Sequence, residues 1–102
     1  MDYRVILSRP SLRDLSEIAC YIARDSPEAA ERVGGELVTL AESLAMLPRR
    51  GGQLRARPGV RRLVHEPYLV TYRIDETQRV VYVLRFCHAK RNPQSWNNPR
   101  GE

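Results

Sequence analysis

The sequence predicts an α+β domain of order β-α-α-β-β-β, a helical hairpin packed on a small antiparallel sheet. Three observations carry this reading: apolar residues at helical spacing up to Leu47, period-two alternation from Val60 onward, and a short β-rich run ahead of both. The 102 residues fit one domain, taken as 1–102 with a polar C-terminal tail over 88–102, and the 42% of apolar residues suffices for a core.

The first strand is expected over Tyr3–Leu7, rich in β-formers and closed by Arg9-Pro10, since proline has no N–H to give a ladder. Ser11 then reads as the cap of a helix to about Arg24, with Leu12, Leu15, Ile18, Ala19 and Ile22 along one face. Asp25-Ser26-Pro27-Glu28 is a tight connection into a second helix: Ser26 caps, Pro27 takes the first helical position and Glu28 sits at the positive dipole end. Helices joined this closely form an antiparallel hairpin. The second helix carries Val33, Leu37, Leu40, Leu44 and Leu47 as one seam until Pro48 stops it. Gly34 and Gly35 interrupt it at about 1 kcal/mol each, so either another backbone packs closely there or the helix is locally weak.

Arg49–Gly59 holds three Gly, one Pro and four Arg, and reads as a mobile basic loop in which Gly51-Gly52 is a turn. From Val60 the period changes. Val60–His65, Tyr68–Ile74 and Arg79–Cys87 read as an antiparallel meander, turned at Glu66-Pro67 and at residues 75–78. Tyr68, Val70, Tyr72 and Ile74 share one face of the second run. In the third, Val80, Tyr82, Leu84 and Phe86 are expected opposite Val81, Val83, Arg85 and Cys87, both faces being apolar as in a covered central strand. The first strand is expected on or beside this one.

Charge divides at Pro48: residues 1–48 hold five Arg against eight acids, and 49–102 hold twelve basic residues against four acids. All but Lys90 of the seventeen basic residues are Arg, whose planar fork suits phosphate and carboxylate. A basic second half of this kind attracts nucleic acid or an acidic protein. No apolar run approaches the roughly 20 residues of a membrane helix, and the opening lacks a signal-peptide pattern, so a cytoplasmic protein is expected. Cys20 and Cys87 have no disulfide-framework or zinc spacing. Neither a metal nor an organic cofactor is indicated, as there is no ligand cluster and no phosphate loop.

Several stretches in order resemble one family. They are Leu7-Ser8-Arg9-Pro10-Ser11-Leu12-Arg13-Asp14-Leu15, Tyr21-Ile22-Ala23-Arg24-Asp25-Ser26-Pro27, Leu47-Pro48, Pro58-Gly59-Val60-Arg61-Arg62-Leu63, Tyr68-Leu69-Val70-Thr71-Tyr72-Arg73, and Val83 through Pro93. Together they resemble the RelE/ParE superfamily of toxins from type II toxin–antitoxin modules, and the first two resemble ParE-like members most. The resemblance covers nearly the whole chain and implies a cognate antitoxin and a hetero-oligomer with it. It leaves two activities open, because RelE-like members cut mRNA in the ribosomal A site whereas ParE-like members poison DNA gyrase, and fold alone does not separate them.

Cleavage of RNA through the 2′-oxygen needs a proton acceptor, cations for the phosphorane and an acid for the leaving oxygen. The candidates here are His88 with Arg85, Arg61, Arg62 and Arg91, while His65 and Tyr68 could also move protons. Nucleases of the RelE type often carry Arg directly after the tyrosine that opens the second meander strand; this chain has Leu69. They also place an aromatic acid or base near the C-terminus, where Trp96 cannot transfer a proton. The leading expectation is therefore a ParE-like inhibitor of gyrase, with Arg73, Arg85, Arg91 and Trp96 as partner contacts. The alternatives are a ribosome-dependent mRNA endonuclease and a member that only binds its antitoxin.

Overall fold

The computed structural model describes residues 2–90. In order these form β1 (Arg4–Leu7), α1 (Arg9–Ala23), α2 (Pro27–Glu42), a 3-10 turn (Ser43–Ala45), β2 (Gly52–Gln53), β3 (Val60–His65), β4 (Tyr68–Asp75) and β5 (Val80–His88).

The helical hairpin forms where its caps place it. Ser26 accepts from the Ala29 N–H at 3.1 Å and Pro27 opens α2, as expected. Helix α1 starts earlier than Ser11, because Ser8 is its cap: the Ser8 hydroxyl accepts from the Ser11 N–H at 3.2 Å, and Ser11 Oγ donates back to the Ser8 carbonyl at 2.7 Å. Pro10 belongs to the helix. In the first turn its missing N–H has no partner to lose, so the residue read as a strand stop is a helix starter. Helix α2 ends at Glu42 and tightens into the 3-10 turn. Leu44 is fully buried but Leu47 is 60% exposed, since the seam stops with the α-helical period that defined it.

The sheet has the order β1-β5-β4-β3-β2. The antiparallel meander β3-β4-β5 is present, and the full sheet is mixed: β1 runs parallel to β5, with Arg4 opposite Val80 and Leu7 opposite Val83. The hairpin returns the chain across one face, so the strand entered first lies beside the strand formed last. Part of Arg49–Gly59, expected as a loop, joins the sheet instead, for β2 pairs with Arg61 and Arg62 of β3. Gly51, ahead of it, is buried; a Cβ there would lie 2.7 Å from the Arg62 carbonyl oxygen and 2.8 Å from the Tyr72 hydroxyl.

Helices cover one sheet face. The core joins Ile18, Leu37, Ala41 and Leu44 to Leu63, Val70, Tyr72, Val81, Val83 and Phe86. Tyr68, Val70, Tyr72 and Ile74 share that side, as their alternation predicts. The third run departs from its expected faces: Thr71 pairs with Arg85 but Tyr72 pairs with Val83, leaving Leu84 as an extra residue. This bulge shifts the alternation by one, and Phe86 joins Val81 and Val83 on the helix side instead of opposing them. Gly34 and Gly35 meet nothing within 4 Å of an added Cβ. No other backbone packs on them, and their cost is an intrinsic weakness in α2.

Candidate functional site

Strand register decides which candidates meet. His65 pairs with Tyr68 and Tyr68 with His88, so the three side chains form one row at an end of the sheet. Directly opposed residues share a face, and Tyr68 places this row on the helix side. The Tyr68 and His88 rings stand edge to face at 5.3 Å. His88 Nδ1 accepts from the Lys90 N–H at 3.1 Å, which assigns the proton of the neutral ring to Nε2. His65 Nε2 lies 3.7 Å from Glu36 Oε1.

The arginine candidates are dispersed. Arg61 pairs with Tyr72 on the helix side and donates to the Gly51 carbonyl at 2.6 Å. Its neighbour Arg62 pairs with Thr71 and alternates to the outer face. Arg73 also lies on that outer face, its guanidinium 4.5 Å from the Tyr82 ring centroid. Arg85 is held at the strand edge by Asp14, through Nε to Oδ2 at 2.7 Å and NH2 to Oδ1 at 3.0 Å. Those hydrogen bonds, outweighing desolvation, raise the Arg85 pKa above the ordinary arginine value. Arg91 and Trp96 lie outside the described residues.

Register thus brings together His65, Tyr68 and His88, and separates Arg61 from Arg62 by the thickness of the sheet. On the outer face, at the same end of the sheet, stand Val64, Leu69 and Cys87.

Asp14, three residues beyond the expected Ser11 cap, has a role at the sheet edge that was not among the expected site residues. Strand β5 continues beyond the end of β1, leaving polar backbone groups along its outer edge. The first turns of α1 satisfy them. Ser8 N–H donates to the Val83 carbonyl at 3.0 Å, Ser8 Oγ to the Leu84 carbonyl at 3.0 Å, and the Phe86 N–H donates to Asp14 Oδ2 at 3.0 Å. The available signal was an acid on the buried stripe of α1, between Ser11 and Ile18.

Tyr72 lies four residues along β4 from Tyr68, on the same face. Fully buried, its hydroxyl donates to the Pro48 carbonyl at 2.7 Å and accepts from the Gly51 N–H at 2.8 Å. Burial raises its pKa above 10, against lowering by the Gly51 N–H and by Arg61 and Arg50. Between α2 and β3 a groove of about 570 Å³ is lined by Gly35, Thr39, Leu40 and Ser43, with Glu36, Arg50 and His65 on its wall.

Among the described residues no group of three His, Cys, Asp or Glu could hold a metal ion, and no helix is long and apolar enough to cross a membrane.

Comparison with known proteins gives this arrangement a context. Residues 5–93 match the family described as the ParE toxin of type II toxin–antitoxin system, parDE. Toxin RelE2 of Caulobacter vibrioides is 37% identical over 89 residues, spanning 86% of this chain and 97% of its own. The structure of the toxin–antitoxin complex RelBE2 of Mycobacterium tuberculosis contains a chain 26% identical, with a TM-score of 0.67 over 86% of this chain and 99% of that one. A chain of the chromosomal ParDE system of P. aeruginosa shares the fold at a TM-score of 0.72 and 24% identity, over 84% of this chain and 95% of that one.

Proposed function

The chain belongs to the ParE toxin family of type II toxin–antitoxin systems, and from that premise we propose that it acts in the cytoplasm as an inhibitor of DNA gyrase, neutralised by a cognate antitoxin. The observation that carries this reading is the dispersal of the nuclease candidates. General acid–base cleavage requires its proton carrier and its cations around one phosphate. Here His88 and Arg61 lie on the helix side, Arg62 lies on the outer face, and Arg85 is engaged by Asp14. Inhibition by binding makes no such demand; it needs a stable surface.

A cognate antitoxin fits the same surface. The groove beside α2 has a largely apolar floor, with Arg50 and the His65–Glu36 pair on its wall, suited to an amphipathic segment that orders as it binds and sets an acidic residue against Arg50. The complexes of RelBE2 and ParDE were each solved as toxin with antitoxin, which supports a hetero-oligomer here.

Plasmid supercoiling by gyrase tests the proposal. Purified protein in micromolar excess is expected to abolish supercoiling and trap cleaved DNA. Unchanged supercoiling rejects the reading. One observation favours the ribosome-dependent mRNA endonuclease instead, namely the row His65-Tyr68-His88. In cells induced for the protein, early loss of methionine incorporation ahead of thymidine incorporation would select that alternative, and full toxicity of both His88→Ala and Arg85→Ala would remove it.

A further inference from the structure

We propose that the β2–β3 hairpin is a cationic finger for the phosphate backbone of duplex DNA. Between Glu42 and Glu66 the chain holds six arginines and no acidic residue. The fold gathers this stretch at an edge of the sheet, where β2 is the outermost strand. Some of its charge is engaged internally: Arg49 donates to Glu76, Arg50 to the Ser43 hydroxyl, and Arg61 to the Gly51 carbonyl. Arg55 and Arg57 occupy the connection between the two strands, Arg55 exposed and Arg57 half-buried. Neither has a carboxylate partner among the described residues.

That connection has a defined backbone. Leu54 N–H donates to the Val60 carbonyl at 2.9 Å, Val60 N–H donates to the Arg57 carbonyl at 3.0 Å, and Gly59 supplies the positive φ of 88° that closes the turn. Tyr72 fixes the base of the finger through Pro48 and Gly51. Two cations on an ordered turn lose less freedom on binding than the same cations on a slack chain.

The chemistry selects the partner. Guanidinium forks match phosphate oxygens. The stretch between Glu42 and Glu66 contains no Phe, Tyr or Trp, and its one imidazole, His65, pairs with Tyr68 at the far end of β3, so the turn that carries Arg55 and Arg57 offers no aromatic platform on which unpaired bases stack. It is built to follow a backbone without reading sequence. The inference goes beyond the action on gyrase and stands on the finger alone, so a negative supercoiling assay leaves it intact.

Fluorescence anisotropy of the full-length protein with a short labelled duplex tests it. Arg55→Gln/Arg57→Gln is compared with Arg9→Gln/Arg13→Gln, which removes the same charge from exposed positions of α1. The hairpin variant is expected to lose about tenfold in affinity at low salt, with its log Kd against log salt slope reduced by roughly 2. Arg55→Gln alone should give half that change in slope, a graded response that a folding defect does not produce. The α1 variant should bind as the parent does. Equal losses in both double variants, an unchanged hairpin variant, or tighter binding of a single strand or of an acidic peptide than of the duplex would each overturn the proposal.

Discussion

Asp14 and Arg85, 71 positions apart, meet as a two-pronged ion pair, and the same carboxylate accepts the Phe86 N–H. Asp14 is 8% exposed, whereas the Arg85 side chain is 51% exposed. The interaction is therefore asymmetric, with a buried acceptor serving the sheet edge and a donor that water can reach.

That asymmetry orders the variants. Asp14→Ala strips a partner from the buried Phe86 N–H as well as from Arg85, and should cost about 2–3 kcal/mol. Arg85→Ala leaves Asp14 its backbone donor and should cost about 1 kcal/mol. Urea denaturation of the two single variants and the double variant gives the coupling, and additive losses would show that the pair does not act together.

Tyr72→Phe leaves the Gly51 N–H and the Pro48 carbonyl without their shared partner. A loss of about 1–3 kcal/mol is expected. Gly51→Ala should cost at least as much, because its Cβ would meet backbone at Arg62 that cannot turn aside. Thermal unfolding of both variants tests this.

Gly34→Ala should stabilise the protein by about 1 kcal/mol, since a Cβ there touches nothing and Ala is the better helix former. Gly35→Ala should stabilise by a similar amount but narrow the groove that Gly35 lines. Gly34→Ala is expected to keep its affinity for the antitoxin and Gly35→Ala to weaken it, as isothermal titration would show.

Glu76 is held below the usual glutamate range by the hydrogen bond from the Tyr3 hydroxyl and then by Arg49 and Arg79. A carboxylate with a lowered folded-state pKa adds stability above its unfolded value and loses it as pH falls through the folded one. Parental stability should therefore drop more steeply on acidification below about pH 4.5 than that of Glu76→Gln, measured as denaturation midpoints across pH. Parallel curves would remove Glu76 from the acid response.

Should gyrase be the target, His88→Gln ought to inhibit supercoiling as well as the parent does, because the ring serves Tyr68 and the Lys90 N–H. A loss of inhibition without a change in thermal midpoint would return His88 to the chemistry.

Much of this molecule was legible in the sequence because one-dimensional periods report local structure. The Ser26-Pro27 cap, the leucines of α2 and the alternation from Tyr68 to Ile74 all act within a few residues of themselves. What escaped depends on distance in the chain. The bulge at Leu84 is a relation between strands, and no pattern within Val80–His88 marks where the alternation slips. Ser8 and Asp14 acquire their roles from an edge of β5 that exists only once the sheet has formed. The candidate site was hardest to read, since adjacent arginines at 61 and 62 form a pair in sequence and point to opposite sides of a sheet in space.

The parallel pairing of β1 with β5 also sets a timetable. Arg4 emerges from the ribosome 76 residues ahead of its partner Val80, which at 5–20 residues per second is a wait of about 4–15 s. During synthesis the helical hairpin can assemble from neighbours, and the Tyr3 N–H can meet the Ala45 carbonyl, but β1 has no strand to pair with until nearly the whole domain has been made. A nascent chain cut short before β5 therefore lacks the strand that unites its two ends, and the finished surface is a property of completed translation.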